Sequence, residues 1–250
     1  MNISDPGFHL PSALTLPESE VQLWRLDLKA LLVTEDHWQQ WLSADEQARA
    51  ARFLSLRARE QFVVTRSLLR IALAAYLITD PKKLVFQHST KEKPSLGSPY
   101  ADSGITFNVS HAGGVALLAF SRRRELGVDV ERVRQDLDID AIARRYFSVH
   151  EARQLAAVNS KERYGAFFRC WTRKEAYIKA QGEGLSLPLE QFDVSVAIGD
   201  TNALLSTRPD ASEAARWSLR EVSAGPGYVA ALCVAGHEWH LRESSEVAPE

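Results

Sequence analysis

The chain has 250 residues, of which 45% are hydrophobic and 25% charged, and its formal net charge is −2. This length and composition predict one or two compact domains with a hydrophobic core, and the charge argues against a broad nucleic-acid-binding surface. Cys170 and Cys233 lack metal-ligand spacing, which is typical of small buried residues in a reducing compartment. Because no apolar run could span a bilayer and no signal pattern begins the chain, we expect a cytoplasmic protein without a membrane partner.

The first part of the chain predicts a strand, two helices and then more strands. Residues 1–20 contain three prolines among small polar residues and predict an extended arm. Near-alternation predicts a strand at residues 21–28, and the Ser43 capping box predicts a helix over 44–53. A longer helix is expected at 59–77, a loop at 91–104, and strands at 84–88, 105–109 and 115–120.

Gly127-Val-Asp-Val-Glu131 predicts a short strand with two acids on one face. Adjacent carboxylates repel each other unless a cation or a shared proton lies between them. Mg²⁺ is the simplest hard cation for such oxygen ligands. The alternative is that Asp129 and Glu131 both face solvent on an edge strand.

The segment 167–179 predicts a helix with one stripe that mixes apolar residues with an acid: Phe168, Trp171, Glu175 and Ile178. An inward carboxylate is costly unless it is paired or bound to a metal. Asp129, Glu131 and Glu175 could therefore supply three oxygen ligands to one ion, with Lys179 one turn beyond Glu175. The alternative is an ordinary Glu–Lys helix pair.

The remaining elements of the second part are helices followed by antiparallel strands. A polar linker is expected at 132–138, a helix at 139–146, and another that opens at the Ser148 capping box. The 167–179 helix should end near Gly182 and Gly184. Strands are predicted at 192–198, 203–207, 217–222 and 228–234, and residues 243–250 should form a frayed tail.

Three motifs in this order resemble the signatures of the Sfp-type 4′-phosphopantetheinyl transferases. They are Phe107-Asn-Val-Ser-His111, Gly127-Val-Asp-Val-Glu131 and Trp171-Thr-Arg-Lys-Glu-Ala-Tyr-Ile-Lys179. The resemblance extends roughly over residues 21–234. It implies an α+β fold with two similar α+β halves, residues 21–122 and 123–242, related by a pseudo-two-fold with the active site in the cleft between them.

The resemblance also implies a reaction. The family transfers the 4′-phosphopantetheine arm of coenzyme A to a serine of an apo acyl or peptidyl carrier protein and releases 3′,5′-ADP. Mg²⁺ would be held by Asp129, Glu131 and Glu175. Glu175 would take the serine proton, directly or through a metal-bound water, and Lys179 would stabilise the leaving phosphate. The layout suits a monomer, and the carrier served is left open.

Coenzyme A contacts are implied for five further positions: Arg49, Arg66, Lys93, Ser110 and His111, the last on the 3′-phosphate. Lys93 precedes a proline as in the family's Gly-Lys-Pro motif, but Glu92 replaces the glycine. A solvated helix face explains the two arginines equally well, and Arg52 could take the place of Arg49. His111 could instead be a turn histidine bonded to its own backbone.

Other roles stay open at this stage. Lys174 could form a surface pair or touch substrate, and the basic clusters at 122–124 and 144–145 could dock a carrier or be solvated surface. A different Mg²⁺-dependent phosphoryl enzyme, such as a nucleotide pyrophosphatase, would use the same acids. A non-catalytic coenzyme A-binding module is disfavoured because all three acids and Lys179 are present.

Overall fold

A computed structural model describes residues 13–31, 38–88, 93–182, 184, 187–200 and 202–244. Residues 1–12 of the arm predicted for 1–20 therefore lie outside the described residues. Glu92 and the part of the predicted tail beyond Ser244 also lie outside them. The fold is α+β, as predicted. No helix of the described part is both long enough and apolar enough to cross a membrane.

The first half consists of a sheet and a long helix. Its elements are β1 (Glu20–Asp27), α1 (Leu28–Leu31), α2 (Ala44–Ala50), α3 (Leu56–Leu77), β2 (Phe86–His88), β3 (Pro94–Leu96), β4 (Ile105–Ala112) and β5 (Val115–Arg122). Antiparallel pairing joins β1 to β5 and β5 to β4, while β2 and β3 form a separate small hairpin. Short 3₁₀ turns lie at Gln39–Trp41, Pro81–Lys83 and Ala101–Ser103.

The second half repeats this plan. Its elements are β6 (Leu126–Arg132), α4 (Ile139–Tyr146), α5 (Val149–Ala157), α6 (Arg163–Gln181), β7 (Phe192–Val194), β8 (Leu204–Thr207), β9 (Trp217–Val222), β10 (Tyr228–Ala235) and β11 (His240–Ser244). The sheet order β6-β10-β9 matches β1-β5-β4, since in each half the first strand pairs with the last strand of a hairpin. Further 3₁₀ turns lie at Leu189–Gln191 and Ala211–Arg216.

Three apolar layers hold these elements together, because alternate strand residues face opposite sides. In the first layer α3 packs on one face of β1 and β5, and in the second α6 packs on β9 and β10. The third layer lies between the two sheets and is formed by Val21, Leu23, Leu117, Ala119, Val128, Val130, Ala230 and Leu232. The two halves therefore meet sheet against sheet, and each has its long helix on the outside.

Several predicted bounds differ from the observed ones. The predicted loop at 91–104 contains β3, the strand predicted at 84–88 begins only at Phe86, and the one at 192–198 ends at Val194. The largest difference is β11, which begins before the predicted tail and pairs in parallel with β1 of the first half. Both predicted capping boxes are confirmed: Glu46 and Glu151 accept the backbone N–H of Ser43 and Ser148 at 3.0 and 2.8 Å.

Candidate active site

The site begins with a close approach between β6 and α6. A Cβ added at Gly127 would lie 2.8 Å from the carbonyl carbon of Lys179, and closer still to Ala176 O and Ala180 N. Only glycine fits this crossing, since the atoms that would be met belong to the helix backbone. The crossing sets β6 residues 129 and 131, on the same face as Gly127, beside the last turns of α6.

Asp129 is the centre of a hydrogen-bonded cluster that spans both halves. It is only 5% exposed. Its Oδ1 accepts hydrogen bonds from Lys179 Nζ at 2.7 Å and from Ser110 Oγ at 2.9 Å. Lys179 Nζ also donates to Ser110 Oγ at 3.1 Å and to the carbonyl of Val128 at 3.2 Å. The other oxygen, Asp129 Oδ2, is buried and has no hydrogen-bond partner.

Glu131 and Glu175 are half-buried acids in the field of Asp129. Burial, followed by the Asp129 charge, raises the pKa of both carboxyls, and Glu175 raises that of Glu131 further. Lys179 lowers both pKa values, but not enough to reverse the shift. The three acids predicted from the sequence therefore repel one another across the β6–α6 crossing, which is a setting that favours a cation.

The residues meet the chemical requirement for a magnesium site in part. Carboxylate oxygens are the ligands that Mg²⁺ prefers, and the unsatisfied Asp129 Oδ2 is a buried oxygen available to an ion. Within residues 13–244, in the ranges that the structure describes, no group of three or more His, Cys, Asp or Glu side chains is arranged to hold a metal. Closure of Asp129, Glu131 and Glu175 around one ion therefore stays a prediction.

Strand β4 adds polar side chains from the first half. Ser110 is buried, and its Oγ accepts the Val130 N–H at 3.3 Å in addition to the bonds above. Sequence reasoning missed Asn108, whose Oδ1 accepts the Val128 N–H at 2.9 Å. An amide among apolar strand residues was the available signal, because a buried polar group requires a partner. These side chains join β4 to β6, where the two sheets meet.

His111 lies at the end of β4, beside this cluster, and is exposed. Partial desolvation and the positive charge of Lys179 lower the pKa of the imidazole. A neutral ring at pH 7 acts as a hydrogen-bond donor through one nitrogen.

Lys93 lies in the cleft between the halves. Its Nζ donates to Glu125 Oε2 at 2.8 Å and to the carbonyls of Leu126 and Ala180 at 3.2 Å. It also lines a cavity of about 690 Å³ with residues from β3, β4 and the end of α6. The replacement of the family glycine by Glu92 thus leaves Lys93 directed at the cleft.

The two predicted arginines belong to a cluster inside the first half. Arg66 Nε lies 3.6 Å from Glu46 Oε1, and its guanidinium lies 4.9 Å from the centroid of Phe86. Arg49 lies over Phe62 at 5.2 Å. Burial lowers the pKa of Arg66, while Glu46 opposes that shift. None of the contacts described for either arginine joins it to Asp129, so their role toward a nucleotide stays a prediction.

The structure corrects the interpretation of Lys174, for which the sequence suggested either a surface ion pair or a contact with substrate. It is completely buried, and its Nζ lies 2.8 Å from Glu151 Oε1 and donates to the carbonyls of Leu189 and Phe192 at 2.8 Å. Glu151 also accepts the Val194 N–H at 2.7 Å. The pair therefore anchors α6 to α5 and β7 and does not face a ligand.

Two arginines of the basic cluster at 122–124 are engaged in hydrogen bonds to backbone carbonyls. Arg122 donates to the carbonyls of Leu16 and Ser103, and Arg124 donates to those of Glu18, Ala235 and Glu238. Arg144 and Arg145 are exposed at the end of α4. Docking at either cluster stays a prediction.

Comparisons with known proteins agree with the motif resemblance. Residues 125–233 match the family model of the 4′-phosphopantetheinyl transferase superfamily, and residues 33–123 match that of the 4′-phosphopantetheinyl transferase N-terminal region. The 4′-phosphopantetheinyl transferase HetI of Nostoc sp. is 37% identical over 92% of this chain and 93% of its own. The 4′-phosphopantetheinyl transferase Sfp of Bacillus subtilis is 28% identical over 80% of this chain and 85% of its own.

One solved structure, the holo-[acyl-carrier-protein] synthase of Thermotoga maritima, matches 44% of this chain and 62% of that protein. Its TM-score is 0.35 at 20% identity, which is too low to add to the assignment. The two family models cover the two halves in turn, and the relatives match most of the chain. The chain belongs to the 4′-phosphopantetheinyl transferase family and is an enzyme of that class.

Proposed function

We propose that this enzyme moves the 4′-phosphopantetheine arm of coenzyme A to a serine of an apo acyl or peptidyl carrier protein and releases 3′,5′-ADP, in a Mg²⁺-dependent reaction. The observation that carries the proposal is the cluster at the junction of the halves, where Lys179, Ser110 and Asp129 bond to one another beside Glu175. An ammonium and a hydroxyl at one place suit the binding of a pyrophosphate, and the uncommitted carboxylate oxygen beside them suits the metal ion that would neutralise it.

In the proposed reaction the carrier serine oxygen attacks the phosphorus that bears the pantetheine arm. A new phosphate ester forms, the bond between the two phosphates breaks, and the electron pair leaves with 3′,5′-ADP. Glu175 accepts the serine proton. The position of Glu175 supports this role, because its carboxylate lies within the electrostatic field of Asp129 and Lys179, one helical turn before the lysine.

Lys179 is proposed to contact the oxygens that gain charge as the bond between the phosphates breaks. The Lys179 side chain is 28% exposed. Its ammonium already has an anionic partner, Asp129 Oδ1, so it is oriented before substrate arrives. Ser110 supports that orientation through its hydroxyl. Bound Mg²⁺, held by Asp129, Glu131 and Glu175, would neutralise pyrophosphate charge.

The remaining coenzyme A contacts are proposed around this centre. His111, at the exposed end of β4, is assigned to the 3′-phosphate, and Lys93, in the cleft, to a phosphate group. Arg49 and Arg66 are assigned to the nucleotide end, where guanidinium groups bind phosphate well. Their present partners, an acid and aromatic faces, would have to share them with the ligand.

The proposal is tested by incubating the enzyme with coenzyme A, Mg²⁺ and an apo carrier protein. A carrier mass gain equal to the phosphopantetheine arm, with equimolar 3′,5′-ADP, is expected. Cleavage of coenzyme A without carrier modification would point to a pyrophosphatase, and binding without turnover to a non-catalytic module; either would contradict the proposal. Asp129→Ala should move the Mg²⁺ titration to higher concentration, whereas Glu190→Gln, at an exposed acid of the same half, should leave it unchanged.

A further inference from the structure

The turn between β4 and β5, residues 112–115, is held firmly by side chains of the first half. The carbonyl oxygen of Gly113 accepts hydrogen bonds from Gln61 Nε2 at 2.7 Å and from Arg57 Nη2 at 3.0 Å. The carbonyl of Gly114 accepts the Leu28 N–H at 2.9 Å. The turn that follows His111 is therefore fixed to α3 and to the start of α1.

Tyr228 holds the same turn from the second half. Tyr228 Oη accepts the N–H of Gly114 at 3.1 Å, and Gly114 is buried. Gly113 has φ +63°, and a Cβ added there would lie 2.7 Å from Tyr228 Oη. The phenol and the turn thus fit each other closely. Position 113 requires glycine for two reasons, its positive φ and the lack of space for a Cβ beside the phenol.

Tyr228 also lies next to the strand that carries the acids. It is the first residue of β10 and pairs with Arg132 of β6, and the following pair is Val229 with Glu131. One side chain consequently connects the His111 turn of one half to the acidic strand of the other. This connection adds to the direct bonds that Ser110 and Asn108 make to β6, and it acts on the turn that follows His111.

We propose that Tyr228, together with Gln61, is a positioning residue for coenzyme A, because it fixes the His111 turn relative to β6. The inference rests on the proposed function. Tyr228→Phe removes the hydroxyl oxygen that accepts the Gly114 N–H and leaves the aromatic ring in place. The buried Gly114 N–H then loses its partner, so the turn relaxes and His111 is no longer held at the required distance.

The test measures kcat and KM for coenzyme A in Tyr228→Phe at saturating apo carrier protein and Mg²⁺. We expect KM to rise about 3- to 10-fold, the range for loss of one hydrogen bond, with kcat within about 2-fold. Tyr164→Phe is the matched control, since Tyr164 Oη donates to Leu137 O at 3.4 Å away from the turn, and its KM should not change. Thermal denaturation checks that both variants are folded.

The decisive measurement repeats Tyr228→Phe in a His111→Ala background. If the tyrosine acts through the His111 turn, its effect on KM should fall below about 2-fold there. Gln61→Met tests the same turn from the first half and should show the same dependence on His111. An unchanged KM, a loss confined to kcat, or an undiminished effect without His111 would each overturn the inference. Lack of transfer by the wild-type enzyme would instead refute the proposed function.

Discussion

The crossing of β6 and α6 at Gly127 provides the sharpest test of how this site is built. In Gly127→Ala the new methyl group would lie 2.8 Å from the Lys179 carbonyl carbon, with Ala176 O and Ala180 N closer still. An ordinary contact begins near 3.4 Å, and all three atoms are helix backbone. Helix α6 must therefore retreat by about 1 Å, because no flexible side chain can give way instead.

The expected costs follow from that displacement. Overpacking against backbone lies at the upper end of the usual range, about 3 kcal/mol in the free energy of unfolding. For a chain of this size it corresponds to a fall of about 6–12 °C in melting temperature. The shift also lengthens the 2.7 Å bond between Lys179 Nζ and Asp129 Oδ1, and a misplacement of about 1 Å lowers turnover by about 10²-fold.

Thermal denaturation and the carrier-modification assay measure the two effects. The matched control is Gly165→Ala on the same helix, where an added Cβ meets nothing within 4 Å. That variant should gain about 0.5–1 kcal/mol from helix propensity and keep its activity. A Gly127→Ala enzyme with the stability and turnover of wild type would show that the crossing does not position the site.

Three further predictions concern single side chains. Glu175→Gln should lower transfer at least about 10²-fold while calorimetry shows coenzyme A affinity within about 3-fold, because the amide keeps the size of the side chain and one oxygen toward the cation but cannot accept the serine proton; an equal loss of affinity would contradict the base role. Lys174→Met should cost about 3–5 kcal/mol in urea unfolding, since Glu151 is left buried and unpaired; a neutral result would contradict the anchoring role. Burial raises the pKa of Asp193, but hydrogen bonds from Arg208 and others outweigh burial and lower it. The stabilisation is therefore fully present above the ordinary value of 3.8 and falls progressively as the pH drops from there toward the lowered pKa. Asp193→Asn should cost about 1–2 kcal/mol at pH 7 and clearly less at pH 2. An undiminished difference at pH 2 would refute that linkage.

Most regular elements of the fold follow from local patterns in the sequence. The apolar periodicity of α3 and α6, the near-alternation in β1 and the apolar runs in β4 and β5 indicate their type correctly. Strand β11 could not be predicted in this way, because four of its five residues are polar and three of the five are exposed. Its pairing partner β1 lies more than 200 positions earlier, and such a pairing leaves no local signal.

The residue types of the site could be predicted from the sequence, but the ion-pair partners of its lysines could not. Helical spacing connects Lys179 with Glu175, whereas the structure gives Lys179 an ion pair with Asp129. That partner depends on how closely two distant elements approach, and Gly127 was the only local clue. Lys174 shows the opposite failure: lysine is normally exposed, and its buried partner Glu151 lies on another helix.

The parallel pairing of β11 with β1 means that the two halves are not separable modules, although they share one plan. A fragment cut between β5 and β6 would leave the backbone of β1 uncovered along the side where β11 pairs with it. Such an open edge invites self-association into larger aggregates. In the intact chain β11 takes the outer position instead, and its charged residues Arg242 and Glu243 make that border unattractive to other strands.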